Sequence, residues 1–451
     1  TALATNTTAA GNTAVGYRSL FANLGASNTG IGEDCLKTNS TGADNTAVGK
    51  SALDANTTAS YGTAIGRSAL ETNTTGAQNV AVGQIALQSN TTGGNNTALG
   101  QAALNSNTTA SNNTAVGKGA LQTNTTGTEN VAVGYLSLLD VTTGGYNTAI
   151  GASALENATT SSNNVAVGNA AMKACTTGTE NVAVGREALD ALVDVNGCVA
   201  VGYRSLTVNT AADNTGIGKA ALLANTTGSQ NVAVGKHALL ANTTAVENTA
   251  VGRSAMDQTT EGAKNCALGN GAGYTNTTGG GNVFLGYDAR AINATDDYVI
   301  SIGYNVAGAE NYTTLGKNGD DIRAAHGNVT WATVSDERYK KDIVDSTAGL
   351  SFVNALQPRT FKYKNLGELP TAFNAYEADS TEVFKNSNTN HGFIAQEVKA
   401  AIDADSGIKN GFRLWDDRPD GSQEVAEAAL IPVLVKAIQE LSAEIEILKA
   451  K

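Results

Sequence analysis

A glycine recurs at a nearly constant interval between residues 16 and 303, within a motif of the form N-T-A-V-G. The step between successive glycines is 17 residues in 15 intervals and 16 residues in the other two. So regular a period predicts a solenoid, in which each repeat forms one coil and packs against its neighbours. The 18 repeat glycines are Gly16, Gly32, Gly49, Gly66, Gly83, Gly100, Gly117, Gly134, Gly151, Gly168, Gly185, Gly202, Gly218, Gly235, Gly252, Gly269, Gly286 and Gly303.

Each repeat contains two short apolar groups that are separated by polar residues. The residue before the glycine is always Val, Ile or Leu, and the residue four positions after it is Leu or Met in the first 15 repeats. The intervening N-T-T-G clusters are typical of turns, and the frequent Gly, Asn and Thr disfavour helices. We therefore predict a mainly β fold, a parallel β-solenoid or β-roll with two short strands per coil and a core of one Val and one Leu.

The predicted solenoid is thin, which favours self-association. Its 18 coils, stacked at the strand spacing, would give a rod of about 85 Å. A coil of 17 residues has a perimeter of at most about 55 Å and encloses few side chains. The Ala or Gly that usually stands two positions before the repeat glycine suggests the close approach of a second surface. We expect the rod to bury one face against copies of itself in a homo-oligomeric fibre.

A change in composition divides the chain near residue 316. Residues 1–316 carry 33 charged side chains, whereas the 135 residues 317–451 carry 37. All prolines lie in the second part, at Pro358, Pro370, Pro419 and Pro432. We assign residues 1–316 to a repetitive shaft, 317–334 to a linker and 335–451 to a second, non-repetitive domain.

Charge and cysteine spacing argue against several functions. The net charge is −12 and no basic patch is available to bind phosphates, so we expect no nucleic-acid partner. No run of 18 apolar residues occurs, so we expect no insertion into a membrane. The cysteines show no metal-ligand spacing, which predicts no metal site, and we expect no cofactor. We interpret Cys35, Cys175, Cys198 and Cys266 as small apolar side chains.

The N-T-A-V-G repeat resembles the head repeats of trimeric autotransporter adhesins, which form parallel β-rolls in threefold bundles. It is also similar to the Asn-, Thr- and Gly-rich shaft repeats of phage tail-fibre proteins. The resemblance covers about 300 residues. It implies a trimeric shaft.

Three motifs follow one another in the second domain. Residues 335–340 read S-D-E-R-Y-K, residues 391–398 read H-G-F-I-A-Q-E-V, and the sequence ends in an apolar helical pattern. This order resembles the intramolecular chaperone domain of phage tail spikes, the endosialidase-type or peptidase S74 family. The resemblance implies a domain that trimerises, guides folding of the fibre and cuts itself off through a Ser–Lys dyad. That dyad would be Ser335 and Lys340, and the cut bond Val334–Ser335.

The chemistry of S-D-E-R-Y-K can be derived without the resemblance. A serine hydroxyl needs a base to act as a nucleophile, and Lys340 follows Ser335 by five residues. A lysine becomes a base when burial lowers the pKa of its amine, so the dyad would act only after folding and assembly. The sequence alone also allows cleavage between Ser335 and Asp336. The alternative is structural: Ser335 or Asp336 caps a helix, and the lysines lie at the surface.

Apolar residues near the end of the sequence recur at steps of 4, 3, 4 and 3, which is a heptad seam. We predict a coiled coil over about 424–450; the alternative is an amphipathic helix packed within one chain. The seam residues are Leu434, Ile438, Leu441, Ile445 and Leu448.

Three further elements are predicted in the second domain. A helix over 392–402 would follow His391 and carry Gln396 and Glu397, for which we expect packing and hydrogen-bonding roles. A helix over 349–356 ends before Pro358, and a strand follows over 359–364.

These patterns favour a structural trimeric fibre, which is at most a self-cleaving serine peptidase. Near-identical repeats allow chains to slip by 17 residues at little cost, so a domain that trimerises first would fix their register. We predict a phage tail fibre on the virion that binds a host cell-surface glycan or protein receptor. The alternatives are an extracellular, cell-surface trimeric adhesin and an ice-binding solenoid, although the N-T-T triplets fit turns better than flat Thr ladders.

The receptor site is not apparent from the sequence. Aromatic side chains at a surface often contribute to binding, but we find no single stripe of rod tyrosines at one repeat position. The tyrosines considered are Tyr17, Tyr61, Tyr135, Tyr146, Tyr203 and Tyr274.

Overall fold

The computed structural model describes residues 1–327, 332–333, 337, 340–405, 408, 414–417 and 421–451. The chain forms two compact units, Thr1–Val334 and Ser335–Lys451. The first unit contains the repeats, and the second contains the three motifs of the non-repetitive region.

Parallel strands of three residues, one from each coil, form the main sheet of the shaft. Each strand pairs in register with the strand of the next coil, so that Thr46 lies beside Thr63 and Val48 beside Ile65. The prediction of a mainly β fold with a parallel β-solenoid of 17-residue coils is confirmed. Strands β1–β17 are Thr13–Val15, Thr29–Ile31, Thr46–Val48, Thr63–Ile65, Val80–Val82, Thr97–Leu99, Thr114–Val116, Val131–Val133, Thr148–Ile150, Val165–Val167, Val182–Val184, Val199–Val201, Thr215–Ile217, Val232–Val234, Thr249–Val251, Cys266–Leu268 and Val283–Leu285.

The second apolar group of the first 15 coils forms a turn, so the prediction of two strands per coil is wrong for them. Near the end of the shaft, Arg290–Ala291 and Ala307–Gly308 do pair as a second, short parallel sheet. In the third coil Ser51 and Leu53 have left-handed φ values of 57° and 54°. Left-handed residues that alternate with right-handed ones bend the chain sharply, so this segment cannot continue as an extended strand. Leu53 is nevertheless buried, as expected for the second apolar group.

The core of each coil consists of alanine and leucine, so the expected core of valine and leucine is wrong. Ala47, the middle residue of β3, is fully buried together with Ala52 and Leu53. Side chains alternate along a strand, and therefore Thr46 and Val48 on either side of Ala47 point outward. The small residue before Val48 thus allows close packing within its own coil rather than against a second chain.

The repeat glycine is required by its conformation and by the spacing of the coils. Gly49 has a φ of 136°, which side chains rarely allow, and a Cβ there would lie 2.5 Å from the carbonyl oxygen of Gly66. The same close approach joins Gly66 to Gly83, again at 2.5 Å. The glycines recur at the period of the coils because the backbones of successive coils meet at this position.

Buried asparagines link successive coils through side-chain hydrogen bonds. Asn90 Nδ2 donates to Asn73 Oδ1 at 2.8 Å and to the carbonyl oxygen of Gly93 at 2.9 Å. Asn107 Nδ2 in turn donates to Asn90 Oδ1 at 2.8 Å. The first residue of N-T-T is therefore a core residue, and its amide satisfies the polar groups that this thin core buries.

We call this series of hydrogen-bonded asparagines, one from each coil that they link, the asparagine ladder. The ladder is interrupted inside the shaft. The coil after Asn124 carries Val141, the coil after Asn242 carries Thr259, and the Oδ1 atoms of these two asparagines have no hydrogen-bond partner in the described structure. An apolar side chain is thus tolerated at this position when one amide oxygen is left unpaired. The coils with apolar replacements carry Val141, Ala158, Cys175 and Leu192, which are all fully buried.

Replacing Asn90 by Asp should destabilise the shaft far more than replacing it by Leu. Aspartate would bury a charge opposite Asn73 Oδ1 and Gly93 O, at a cost of about 3–5 kcal/mol. Leucine also loses the hydrogen bonds, but it matches Leu192 at the same position of another coil, so we expect a loss of about 1–3 kcal/mol. Thermal unfolding followed by circular dichroism measures both variants, and equal losses would contradict the role of the amide donor.

The shaft ends in a change from parallel to antiparallel pairing. The sheet continues in parallel through β19 and β21, and β22 and β23 then add to it in antiparallel orientation. The segment assigned to a linker, 317–334, therefore contains strands that pair with the shaft sheet. The segment contributes β22 (Asp320–Ala325) and β23 (Ala332–Thr333). The preceding strands are β18 (Arg290–Ala291), β19 (Ile300–Tyr304), β20 (Ala307–Gly308) and β21 (Tyr312–Lys317), of which β18 and β20 pair in a separate sheet.

The second unit is a small α+β region that ends in a helix, as predicted. Its core joins Phe352, Val398 and Val433 from the three helices with Leu414. The elements are α1 (Leu350–Ala355), β24 (Arg359–Phe361), β25 (Asn390–Gly392), α2 (Ala395–Ala404), β26 (Trp415–Asp417), β27 (Gln423–Val425) and α3 (Leu430–Lys449), with 3-10 turns at Leu366–Glu368 and Glu427–Ala429.

Two helices of this unit begin later than the sequence pattern indicates. The helix predicted over 392–402 begins at Ala395, because residues up to Gly392 pair as β25 with β24. The helix predicted from about 424 begins at Leu430, because 423–425 form β27. Pro432 then lies in the first turn of α3, where the missing backbone N–H has no helical partner to lose.

Candidate functional site

The motif H-G-F-I-A-Q-E-V connects strand β25 to helix α2. His391 lies in β25 opposite Thr360, rather than at the start of a helix. Glu397, in the first turn of α2, accepts hydrogen bonds from Arg359 Nε at 3.0 Å and Nη2 at 2.7 Å. These hydrogen bonds lower the pKa of the Glu397 carboxyl because they stabilise its charged form. The motif therefore fastens α2 to β24, as expected for packing and hydrogen-bonding residues.

An aromatic groove of about 810 Å³ lies beside this motif. The ring of Tyr363 meets those of Phe361 and Phe384 edge to face, with centroids 5.4 and 5.7 Å apart. His391 and Gln396 also line the groove. The aromatic residues of the groove are scattered between short elements and show no periodic pattern, so the sequence does not predict it.

The predicted dyad lies at the start of this unit. Val334 and Ser335 are outside the described residues. Lys340 is exposed, and its backbone N–H donates to the carbonyl oxygen of Glu337 at 2.9 Å. The roles of Ser335 and Lys340, and the cut between Val334 and Ser335, stay predictions.

Comparison with sequence families identifies this region. Residues 335–406 match the family Peptidase_S74, described as the chaperone of endosialidase. The chain carries an endosialidase-type chaperone domain. The match includes the H-G-F-I-A-Q-E-V motif and helices α1 and α2, and it ends before α3 of the same compact unit. We call this unit, Ser335–Lys451, the chaperone domain.

Comparisons with curated proteins and with solved structures gave no match for the chain. The combination of a β-solenoid shaft with a chaperone domain fits a fibre-type protein. Among the described residues, no group of three or more His, Cys, Asp or Glu side chains could hold a metal ion. No helix in the described part of the chain has the length and apolar character needed to cross a membrane.

The last helix of the chaperone domain leaves its predicted seam exposed. Helix α3 buries Leu430, Val433 and Ala437 against its own chain. The seam lies on a different face of the helix and is between 41 and 68% exposed, at Leu434, Ile438, Leu441, Ile445 and Leu448. An apolar face of this size without a partner among the described residues favours contact with another chain.

The shaft carries a further exposed surface, which we call the strand face: the outward first and third residues of strands β1–β17. The third residue is Val, Ile or Leu in every strand, whereas the first is Thr in nine strands. Val15, Ile31, Leu99 and Leu268 on this face are between 40 and 58% exposed. Cys266, the first residue of β16, is also exposed, whereas Cys35, Cys175 and Cys198 are buried. The sequence pattern predicts that the Val of each repeat is buried, and it therefore does not predict this face.

Some of the shaft tyrosines share one position of the repeat, although the tyrosines taken together occupy several positions and form no single stripe. Tyr17, Tyr135 and Tyr203 directly follow a repeat glycine, and Tyr287 and Tyr304 do the same. All five are exposed. They border the strand face along one side of the shaft.

Proposed function

We propose that the chain is one subunit of a homotrimeric phage tail fibre, which is part of the virion and attaches to a host-cell receptor of glycan or protein. The chaperone domain would bring three chains together in register, and the shaft would fold onward from it. The observation that carries this proposal is the strand face, whose third residues form an apolar row along 17 strands, with side chains such as Val15, Leu99 and Leu268 exposed in the described part of the chain.

Burial of the strand face gives the shaft a stability that its own core cannot supply. The interior of a typical coil holds little more than two alanines, one leucine and two asparagines. Covering the outward Val, Ile and Leu side chains would contribute about 25 cal/mol for each Å² removed from water. Three chains that turn their strand faces toward a common axis would cover all of them, and the exposed seam of α3 would be covered in the same trimer.

Particle mass tests this assembly directly. We expect mass photometry of the purified protein to give about three times the chain mass of 45.8 kDa, or of the shaft fragment if the chain is cut. A monomer at micromolar concentration would contradict the proposal. A dimer would contradict it as well, and would instead follow the preference for two strands that Ile at a and Leu at d gives to isolated coiled coils.

The thiol of Cys266 reports whether the strand face is covered. Burial raises the pKa of Cys35 to about 12 and of Cys175 to about 11, and it also raises the pKa of Cys198, so all three stay protonated at pH 8. In a single chain Cys266 is exposed, but in the trimer we expect its alkylation to slow by about tenfold or more.

A matched variant distinguishes protection of the thiol by a covered strand face from a general slowing of alkylation in the particle. In Cys266→Ser with Thr226→Cys, the thiol moves to an exposed position outside the strands, and it should react at the rate of a free thiol. Equal rates for the parent and this variant in a particle of trimer mass would place the strand face at the outer surface.

Attachment to the host requires the fibre to be part of the virion. Antibodies raised against the shaft should label purified virions at the tail and reduce their adsorption to host cells. Labelling of the host cell surface in the absence of virus would favour the adhesin instead.

We further propose that the chaperone domain cuts the chain between Val334 and Ser335. Ser335 Oγ would attack the carbonyl carbon of Val334 while a neutral Lys340 amine takes the hydroxyl proton. The C–N bond then breaks, the proton passes to the amine of Ser335, and Val334 is held as an ester on Oγ. Water would hydrolyse the ester, leaving a carboxylate on Val334 and a free amine on Ser335. The family match at residues 335–406 supports this choice of bond.

A further inference from the structure

Two columns of side chains border the strand face, one on each side. The forward column consists of the residue after each repeat glycine, and the rear column consists of the residue five positions before each repeat glycine. The rear residues are left-handed, as Asp44 with a φ of 56°, and the forward residues follow a glycine of positive φ, so each column lies where the chain turns away from one end of the strand. Their charged side chains are exposed, as at Lys219 and Arg253 in the forward column and Asp213 and Glu247 in the rear column.

The two columns carry opposite charge. The forward column has seven basic residues and one acid, although the chain has a net charge of −12; these seven are more than half of the 13 Lys and Arg of residues 1–316. The rear column has five acids and one lysine. The basic residues are Lys50, Arg67, Lys118, Arg186, Lys219, Lys236 and Arg253, and the acids are Asp44, Glu129, Glu180, Asp213 and Glu247.

The charges also match coil by coil. Four of the five rear acids share a coil with a forward basic residue, and no coil has like charges in both columns. Within one chain the two positions are six residues and up to about 20 Å apart across the strand. Among the ion pairs of the described residues, none joins them. The four matches are Asp44 with Lys50, Glu180 with Arg186, Asp213 with Lys219 and Glu247 with Arg253.

We propose that the forward column of one chain contacts the rear column of the next chain, coil by coil, when the shafts associate in parallel. This inference rests on the proposed trimer. A cyclic trimer repeats one heterologous interface three times, so each chain offers one border to one neighbour and the opposite border to the other. Opposite charges on the two borders suit such an interface, whereas antiparallel chains would bring like borders together.

The same charges distinguish the correct register from its neighbours. Pairing each forward residue with the rear residue of its own coil number gives four opposite pairs and no like pair. Shifting the chains by one coil in one direction gives two opposite pairs but brings Glu33 to Asp44 and Arg253 to Lys264. The shift in the other direction leaves two opposite pairs. The borders thus encode a register that the repeating backbone does not specify.

Reversing the charges of one column should weaken the trimer, and reversing the charges of both columns should restore it. Lys219→Glu with Arg253→Glu reverses the forward border, Asp213→Lys with Glu247→Lys reverses the rear border, and all four changes give the combined variant. We expect either one-border variant to unfold about 5 °C below the parent at low salt, with a smaller difference in 1 M NaCl. The combined variant should return to within about 1 °C of the parent. No ion pair of the described residues joins the two columns within one chain, so rescue would point to pairing between chains.

Lys236→Glu is the matched control, because Lys236 lies in the forward column and faces the uncharged Gln230 in the proposed register. Its unfolding midpoint should stay within about 1 °C of the parent. If the chains were shifted by one coil, the new carboxylate would face Glu247 or Asp213, and the midpoint would fall.

The mass of the parent particle shows whether a negative result contradicts the proposed trimer or only the proposed pairing of the two columns. A parent that is not a trimer overturns the proposed function and the pairing with it. If the parent is a trimer but the combined variant unfolds as low as the one-border variants, or the one-border variants match the parent, the border pairing is wrong and the trimer stands.

Discussion

A chain that ends at residue 334 should fail to form uniform trimers. Slipping one shaft by a coil preserves the backbone match and the strand face, so charge borders alone would have to exclude the wrong registers during folding. Exposed pairs of this kind contribute only about 0.2–1 kcal/mol each. We therefore expect the yield of soluble trimer to fall by about tenfold or more relative to the full chain, with aggregates and mixed oligomers in its place.

Mass photometry and sedimentation of residues 1–334 beside the full chain measure this loss. The control is the full chain cut after folding by a protease site placed before Ser335; its shaft should stay trimeric, because the chaperone domain is needed for assembly rather than for maintenance. Soluble, uniform trimers from residues 1–334 would show that the repeats set their own register.

Ser335→Ala should leave the chain at its full mass of 45.8 kDa while the parent yields a shaft of 334 residues and a domain of 117 residues. Without the hydroxyl no ester can form, so cleavage should be abolished. Lys340→Ala removes the proposed base and should slow cleavage by about 10²–10⁴-fold. Both variants should still trimerise, because neither change touches the strand face or the seam of α3.

A denaturing gel of samples that were folded and trimeric measures the extent of cleavage in these variants. Lys341→Ala is the matched control: it removes the neighbouring charge but keeps the spacing of five residues, and it should cleave like the parent. If the folded trimeric parent stays uncut, the dyad is inert and the chaperone domain is a retained cap. If Lys341→Ala is as slow as Lys340→Ala, the assignment of the base is wrong.

The sequence predicts the coil of the shaft but not which side of the coil faces inward. The 17-residue period and the parallel register follow directly from the repeat glycines. An apolar pair such as Ala47 and Val48, however, does not tell which residue is buried. The strand is only three residues long, and the space between it and the turn at Leu53 admits alanine, so the larger Val48 is placed outside.

The polar core was also beyond sequence reasoning. Asn90 reads as a turn residue in N-T-T, and only the stacking of coils shows that its amide completes hydrogen bonds on both sides. In the chaperone domain the motif order was enough to find the family, because the motifs are specific. It could not reveal the groove around Tyr363, which depends on how short, irregular segments fold together.

The left-handed leucines of the shaft have a consequence for how it grows. Leu53, Leu70 and Leu87 have φ values of 54°, 52° and 50°, a conformation that costs about 1–2 kcal/mol for each residue with a side chain. Stacking on a neighbouring coil offsets this cost, so the first coil is unfavourable and each later one is favourable, as in the growth of a helix or a repeat array. Such a polymer extends from a seed and rarely starts by itself. A trimeric seed at one end would therefore make the coils form in order from that end. Two folded segments that begin separately and meet in different registers would not arise.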